Sequence, residues 1–144
     1  LHFIGSIQSR KVKSIFQHCD VVHSIDRLKI VELFNKLEGQ HNVSRKYFIQ
    51  INTGDELQKS GVKLSEADEF IANCINNYQL NIIGLMCLPP INEDPKSHFL
   101  KLLKLRDQFK LPSLSMGMSS DFKESIETGA THIRVGTQIF GKRD

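Results

Sequence analysis

No stretch of this chain approaches the ~18 consecutive apolar residues that a membrane-spanning helix requires, so a membrane protein is not expected. The three cysteines, Cys19, Cys74 and Cys87, are odd in number and never form a C-x-x-C pair, which argues against a disulfide framework and a structural zinc site. A reducing, cytoplasmic environment fits that usage. The six histidines show no H-x-x-x-H or H-E-x-x-H spacing and no accompanying acidic pair, so no metal site is expected. Charge of one sign is not gathered into a block, since 19 Lys and Arg are interspersed with 16 Asp and Glu for a net charge of +3. Only Arg10, Lys11 and Lys13 cluster, and no aromatic-rich binding motif accompanies them, so nucleic acid is not an expected partner. No basic and apolar series opens the chain as in a signal peptide; because the first residue is Leu1, that absence leaves the natural start open.

What is present is a regular rhythm. With 144 residues, 40% of them hydrophobic and 24% charged, the chain is expected to form one globular domain over residues 1–144. Short runs rich in Val, Ile and Phe alternate with longer amphipathic stretches, the pattern of repeated βα units on a parallel sheet. Strands are predicted at residues 2–5, 21–25, 47–52, 82–86, 113–116 and 132–136. Helices are predicted at 9–18, at 26–37 behind Asp26 as N-cap, and at 65–78, 95–109 and 120–128, the last closed by Gly129. Residues 38–45 and 87–94 read as loops. No G-x-G-x-x-G follows an early strand, which disfavours a dinucleotide-binding open sheet and favours a parallel (β/α)8 barrel. A closed barrel of that kind typically takes ~250 residues, so this chain is expected to supply about the last six strands.

In such a barrel the chemistry sits where the strands end. The fifth predicted strand runs into Gly117-Met118-Ser119-Ser120-Asp121 and then a helix, which offers backbone N–H groups, hydroxyls and the positive end of a helix dipole to an anion, with Gly117 allowing close approach. The sixth ends at Gly136-Thr137. If the missing units precede Leu1, these are strands seven and eight, whose loops frequently form a barrel's phosphate site. Arg134 shares the face of Gly136 and is expected in the barrel mouth, its plainer alternative being a structural pair with Asp26. The G-x-x-x-x-G-K run from Gly136 to Lys142 is not a P-loop, because Arg143 replaces the required Ser or Thr and Ile139-Phe140 are apolar. His23 and His132, inside strands, read as satisfied barrel residues; Lys59 follows the third strand and could reach the active face, though an exposed loop lysine is the commoner case.

These residues resemble the YggS/PROSC family of pyridoxal-phosphate homeostasis proteins, whose fold looks like the N-terminal barrel of alanine racemase. Leu1-His2-Phe3-Ile4-Gly5 with Gln8 and Lys11 is similar to the family's H-F-I-G-x-[LI]-Q-x-[NKR]-K signature, and Asp26-Arg27 to its S-[IV]-D-R segment. Asn52, Glu56, Lys59 and Gly61 follow its I-N-x-x-x-E-x-x-K-x-G stretch, and Gly84-Leu85-Met86 its G-L-M strand. The finish is the most specific: Leu114-Ser115-Met116-Gly117-Met118-Ser119-Ser120-Asp121, then Arg134, Gly136, Ile139, Phe140, Gly141 and Arg143, follow L-S-M-G-M-S-x-D and R-x-G-x-x-I-F-G-x-R.

The resemblance implies pyridoxal 5′-phosphate (PLP) as cofactor, with Met118, Ser119, Gly136 and Thr137 at the positions that hold its phosphate and Arg134 facing its pyridine nitrogen. A permanent cation there disfavours a protonated ring and weakens carbanion stabilisation, so the family looks like a carrier or regulator of PLP, monomeric when complete, and not a vigorous enzyme. It would serve apo-enzymes that accept PLP. The family's Schiff-base lysine lies on a segment that would precede Leu1, so no catalytic residue is expected within these 144 residues, and Lys59 does not replace it by motif. The alternative is an amino-acid racemase or related enzyme of the same barrel type. It would need a base such as a tyrosine, and only Tyr47 and Tyr78 exist here.

Overall fold

A computed structural model describes residues 1–141. In chain order the elements are β1 (His2–Phe3), a 3-10 turn (Ser9–Lys11), α1 (Val12–His18), β2 (Val21–Ile25), α2 (Leu28–His41), β3 (Lys46–Asn52), β4 (Val62–Lys63), α3 (Leu64–Asn76), β5 (Ile82–Cys87), α4 (Pro95–Gln108), β6 (Ser113–Met118), α5 (Phe122–Glu127), β7 (His132–Arg134) and α6 (Thr137–Phe140). The strands form one parallel sheet in the order β1-β2-β3-β5-β6-β7, with the two-residue β4 paired to the end of β3. The order never reverses. A doubly wound sheet would change direction at a switch point, so steady progression by helical crossovers is the barrel-type arrangement that the βα rhythm predicts.

The sheet's two faces differ because strand side chains alternate. On β3, Tyr47, Ile49 and Ile51 pack with Val22, Leu85, Leu114 and Met116 in a large apolar layer beneath the helices. Ile30, Val31 and Phe34 of α2, Ala67 and Ile71 of α3, and Phe99 and Leu102 of α4 close that layer, all fully buried. Phe48, on the opposite face, clusters with Val21, Met86 and Ile83.

Several local expectations change. The α2 N-cap is Arg27, and its side chain makes no capping bond; the Asp26 carboxylate is instead held by Arg27 Nη1 at 2.6 Å. The helix continues through Glu38, Gly39, Gln40 and His41, which read as loop, and stops at Asn42 in the left-handed region (φ 52°). Glu38 explains the extension, because its Oε1 accepts from both the Arg45 N–H (2.6 Å) and the Tyr47 hydroxyl (2.8 Å), tying α2 to β3. The α4 start is a conventional cap, with Asp94 accepting from Lys96 and Ser97 N–H and Pro95 in the first turn. Among the described residues no helix is long and apolar enough to cross a membrane.

Candidate functional site

At the ends of β6 and β7 the two strand-end loops meet. Gly136 N–H donates to Ser119 Oγ at 3.2 Å, and Gln138 Nε2 donates to the Ser119 carbonyl at 2.8 Å. Because Ser119 Oγ accepts from Gly136, its own proton is left to donate outward. Gly136 sits at the N-cap of α6, a single turn that the sequence reading ended as strand, and the first N–H groups of a helical turn have no acceptor within it. A side chain at Gly136 would meet open space. These residues line a cavity of about 1320 Å³ that also carries Met118, Thr137 and Arg134.

Gly117 has a different reason to be glycine from the one its sequence suggests. Its φ is +95°, and a Cβ there would run into Ser125 Oγ on α5, so the missing side chain lets the helix pack against the strand end and does not make room for a ligand. The Met118 N–H is likewise engaged, donating to Asp121 Oδ1 at 2.6 Å. What Met118 offers the cavity is its side chain, 41% exposed.

Arg134 does reach the cavity wall, but not towards Asp26. Its Nη1 donates to Ser115 Oγ at 2.7 Å and its Nη2 to the Cys87 carbonyl at 2.8 Å. Among the described residues it has no carboxylate within salt-bridge distance, whereas Asp26 pairs with Arg27. Burial lowers its proton affinity somewhat, yet an arginine remains a cation at any ordinary pH. The same burial pushes the Cys87 thiol up to about 12, so Cys87 is inert as a nucleophile.

The other strand ends close upon themselves. Asn52 bonds Glu56 through both its amide oxygen and nitrogen, and Thr53 Oγ1 lies 3.0 Å from the buried His98, whose other nitrogen is 2.9 Å from Glu93. Lys59 is half-buried beside Glu56, with Nζ 2.6 Å from Oε2. Tyr47 bonds Glu38 and Tyr78 bonds Glu32. Arg10, Lys11 and Lys13 are exposed on the turn and first helix.

The sequence reading missed Gln138, which clasps Ser119, and Ser115, which holds Arg134. A serine between the core-facing Leu114 and Met116 on β6 was the available signal, because strand side chains alternate. His23 is, as read, a buried and satisfied strand residue. Lys142 and Arg143, the last positions of the final motif, lie outside the described residues.

The model of the family described as alanine racemase, N-terminal domain, matches residues 1–144. The chain belongs to that family. The pyridoxal phosphate homeostasis protein of Aquifex aeolicus is 37% identical over 151 residues, covering 99% of this chain and 66% of its own length. The chain therefore spans about two thirds of that relative. The solved structure of PipY from Synechococcus elongatus PCC7942 with PLP bound is 31% identical with a TM-score of 0.83, covering 97% of this chain and 69% of PipY. Alanine racemase from Corynebacterium glutamicum has a TM-score of 0.73 at 15% identity, covering 99% of this chain and 42% of its own; that likeness concerns the fold alone. The resemblance to homeostasis proteins and the barrel-type fold expected from sequence are both borne out.

Proposed function

We propose that this chain binds pyridoxal 5′-phosphate at the β6 and β7 ends and acts in intracellular PLP homeostasis as a carrier or regulator without robust turnover, serving apo-enzymes that accept the cofactor. Residues 1–144 act as one barrel-type domain in the cytoplasm. The observation that carries the reading is the Ser119–Gly136 clasp: it joins two strand-end loops and leaves the serine proton and the Thr137 and Gln138 N–H groups with no acceptor among the described residues, a donor set suited to a phosphate. Met118 supplies an apolar wall, Thr137 a further hydroxyl, and Arg134, which also lines the cavity, would be the cation that meets the pyridine nitrogen. When bound, PLP supplies an aldehyde that captures amines and a ring that can draw electrons. Arg134 works against the second property, because a cation whose only described partners are a hydroxyl and a carbonyl keeps its charge and disfavours ring protonation. The bound PLP of PipY and the name of the Aquifex relative support this cofactor.

Titration of the chain with PLP, followed by the cofactor's absorption, tests the reading. Saturable binding that inorganic phosphate competes away is expected, with no amino-acid racemisation above that of free PLP. Binding that does not saturate, or that phosphate leaves untouched, contradicts it.

A further inference from the structure

Behind Arg134 the inner face of the sheet carries a row of polar groups that the proposed phosphate site does not use. Ser115 Oγ lies 2.8 Å from His23 Nδ1, and His23 Nε2 lies 3.0 Å from His2 Nδ1. Ser115 and His23 are buried, at 0% and 2% exposure, so each must settle its hydrogen bonds within the protein.

The direction of every bond follows from Arg134. A guanidinium has donors and no acceptor, so the 2.7 Å contact runs from Nη1 to Ser115 Oγ. The serine has one proton of its own, and His23 Nδ1 is the acceptor within reach. If Nδ1 carried a proton instead, two donors would point at one oxygen and the buried serine proton would lose its partner, a costly arrangement. His23 therefore carries its single proton on Nε2 and donates it to His2 Nδ1. Its ring plane is fixed as well, by stacking on Phe48 at 4.2 Å between centroids and 15° between planes.

We infer that Ser115 and His23 are positioning residues for Arg134, forming a one-way chain Arg134→Ser115→His23→His2 that holds the guanidinium in place where no carboxylate among the described residues lies within salt-bridge distance. The inference rests on the cofactor-binding reading for its purpose, since a fixed cation is what would keep the cofactor ring unprotonated. It rests on geometry alone for its existence. The guanidinium is anchored through two nitrogens to two different strands, at Ser115 on β6 and at the Cys87 carbonyl on β5. The neutral state of His23 is consistent with its surroundings: burial first, and then His2, His132 and Arg134, push its pKa down to about 3.

Two measurements on the full chain decide the matter. Nitrogen-15 NMR of the histidine rings in the unliganded protein reports tautomers directly, and His23 is expected neutral with its proton on Nε2 at pH 8. A proton on Nδ1 at that pH overturns the chain whatever the cofactor does. In the second, S115A is expected to bind PLP about tenfold more weakly than the parent, the effect of one lost hydrogen bond, with a shifted cofactor absorption band and unchanged circular dichroism. S115T, which keeps the hydroxyl, is expected to recover both. S115A with the parent's affinity and band overturns the positioning role. A parent protein that takes up no PLP but shows the Nε2 tautomer contradicts the binding reading and leaves the hydrogen-bond chain standing.

Discussion

The two faces of the sheet follow opposite chemistry on the same strands. The helix-facing side of β2, β3, β5 and β6 is apolar and fully buried, with Val22, Ile49, Leu85 and Leu114 each at 0% exposure. The inner side sets His23, Phe48, Gln50 and Ser115 beside one another and leads to Arg134. A strand with period 2 can encode both at once, so β3 supplies Ile49 and Ile51 to the core while Gln50 between them bonds the Ser60 carbonyl. The outer face makes the fold stable; the inner face leads to the proposed site. Changes on the first should therefore cost stability, and changes on the second should cost ligand binding.

Phe34→Ala on α2 is expected to break the comparison most severely. It removes a fully buried ring that packs 5.2 Å from Tyr47, and it should destabilise the protein by about 3–5 kcal/mol in chemical denaturation. Acidification acts on the inner face. His23 has its pKa lowered from 6.5 to about 3, so the unfolded chain binds a proton that the folded chain refuses. Its contribution is intact above pH 6.5 and is lost as pH falls towards 3, with roughly 2 kcal/mol gone by pH 5. Denaturation at pH 7.5 and pH 5, repeated with His23→Gln, isolates that slope, which should shrink in the variant.

The two strand-end glycines sharpen the contrast. Gly117→Ala should cost about 1–3 kcal/mol, because its φ of +95° and the approach of Ser125 both exclude a Cβ. Gly136→Ala should change stability by less than about 0.5 kcal/mol, since its Cβ meets open space, yet it should weaken PLP uptake by filling the phosphate position. Ser119→Ala is the mildest for the fold, with stability within about 0.5 kcal/mol of the parent and PLP affinity reduced about tenfold in the same titration.

Much of the outer face was legible, because burial writes itself into the spacing of Val, Ile, Leu and Phe. All six predicted strands exist, and β4 escaped notice because Val62–Lys63 is too short to show a period. Helix ends were less readable. Asp26 has the composition of an N-cap, but the neighbouring guanidinium of Arg27 took its carboxylate, and residues 38–45 looked like a loop where Glu38 anchors the helix to β3. The candidate site was legible as positions and not as bonds. Ser119, Arg134 and Gly136 stood at strand ends, but nothing local could show that His23 meets Ser115 across 92 residues or that Gln138 clasps Ser119. Gly117 carried a true signal with the wrong cause, because a glycine needed for helix packing and one needed for ligand approach look alike in a sequence.

The most direct test of the phosphate site is a crystal structure of the chain grown with PLP. The phosphate should lie between Ser119 Oγ and the Gly136–Thr137 backbone, with the pyridine nitrogen against Arg134. A phosphate bound elsewhere, or a ring turned away from Arg134, would contradict the account.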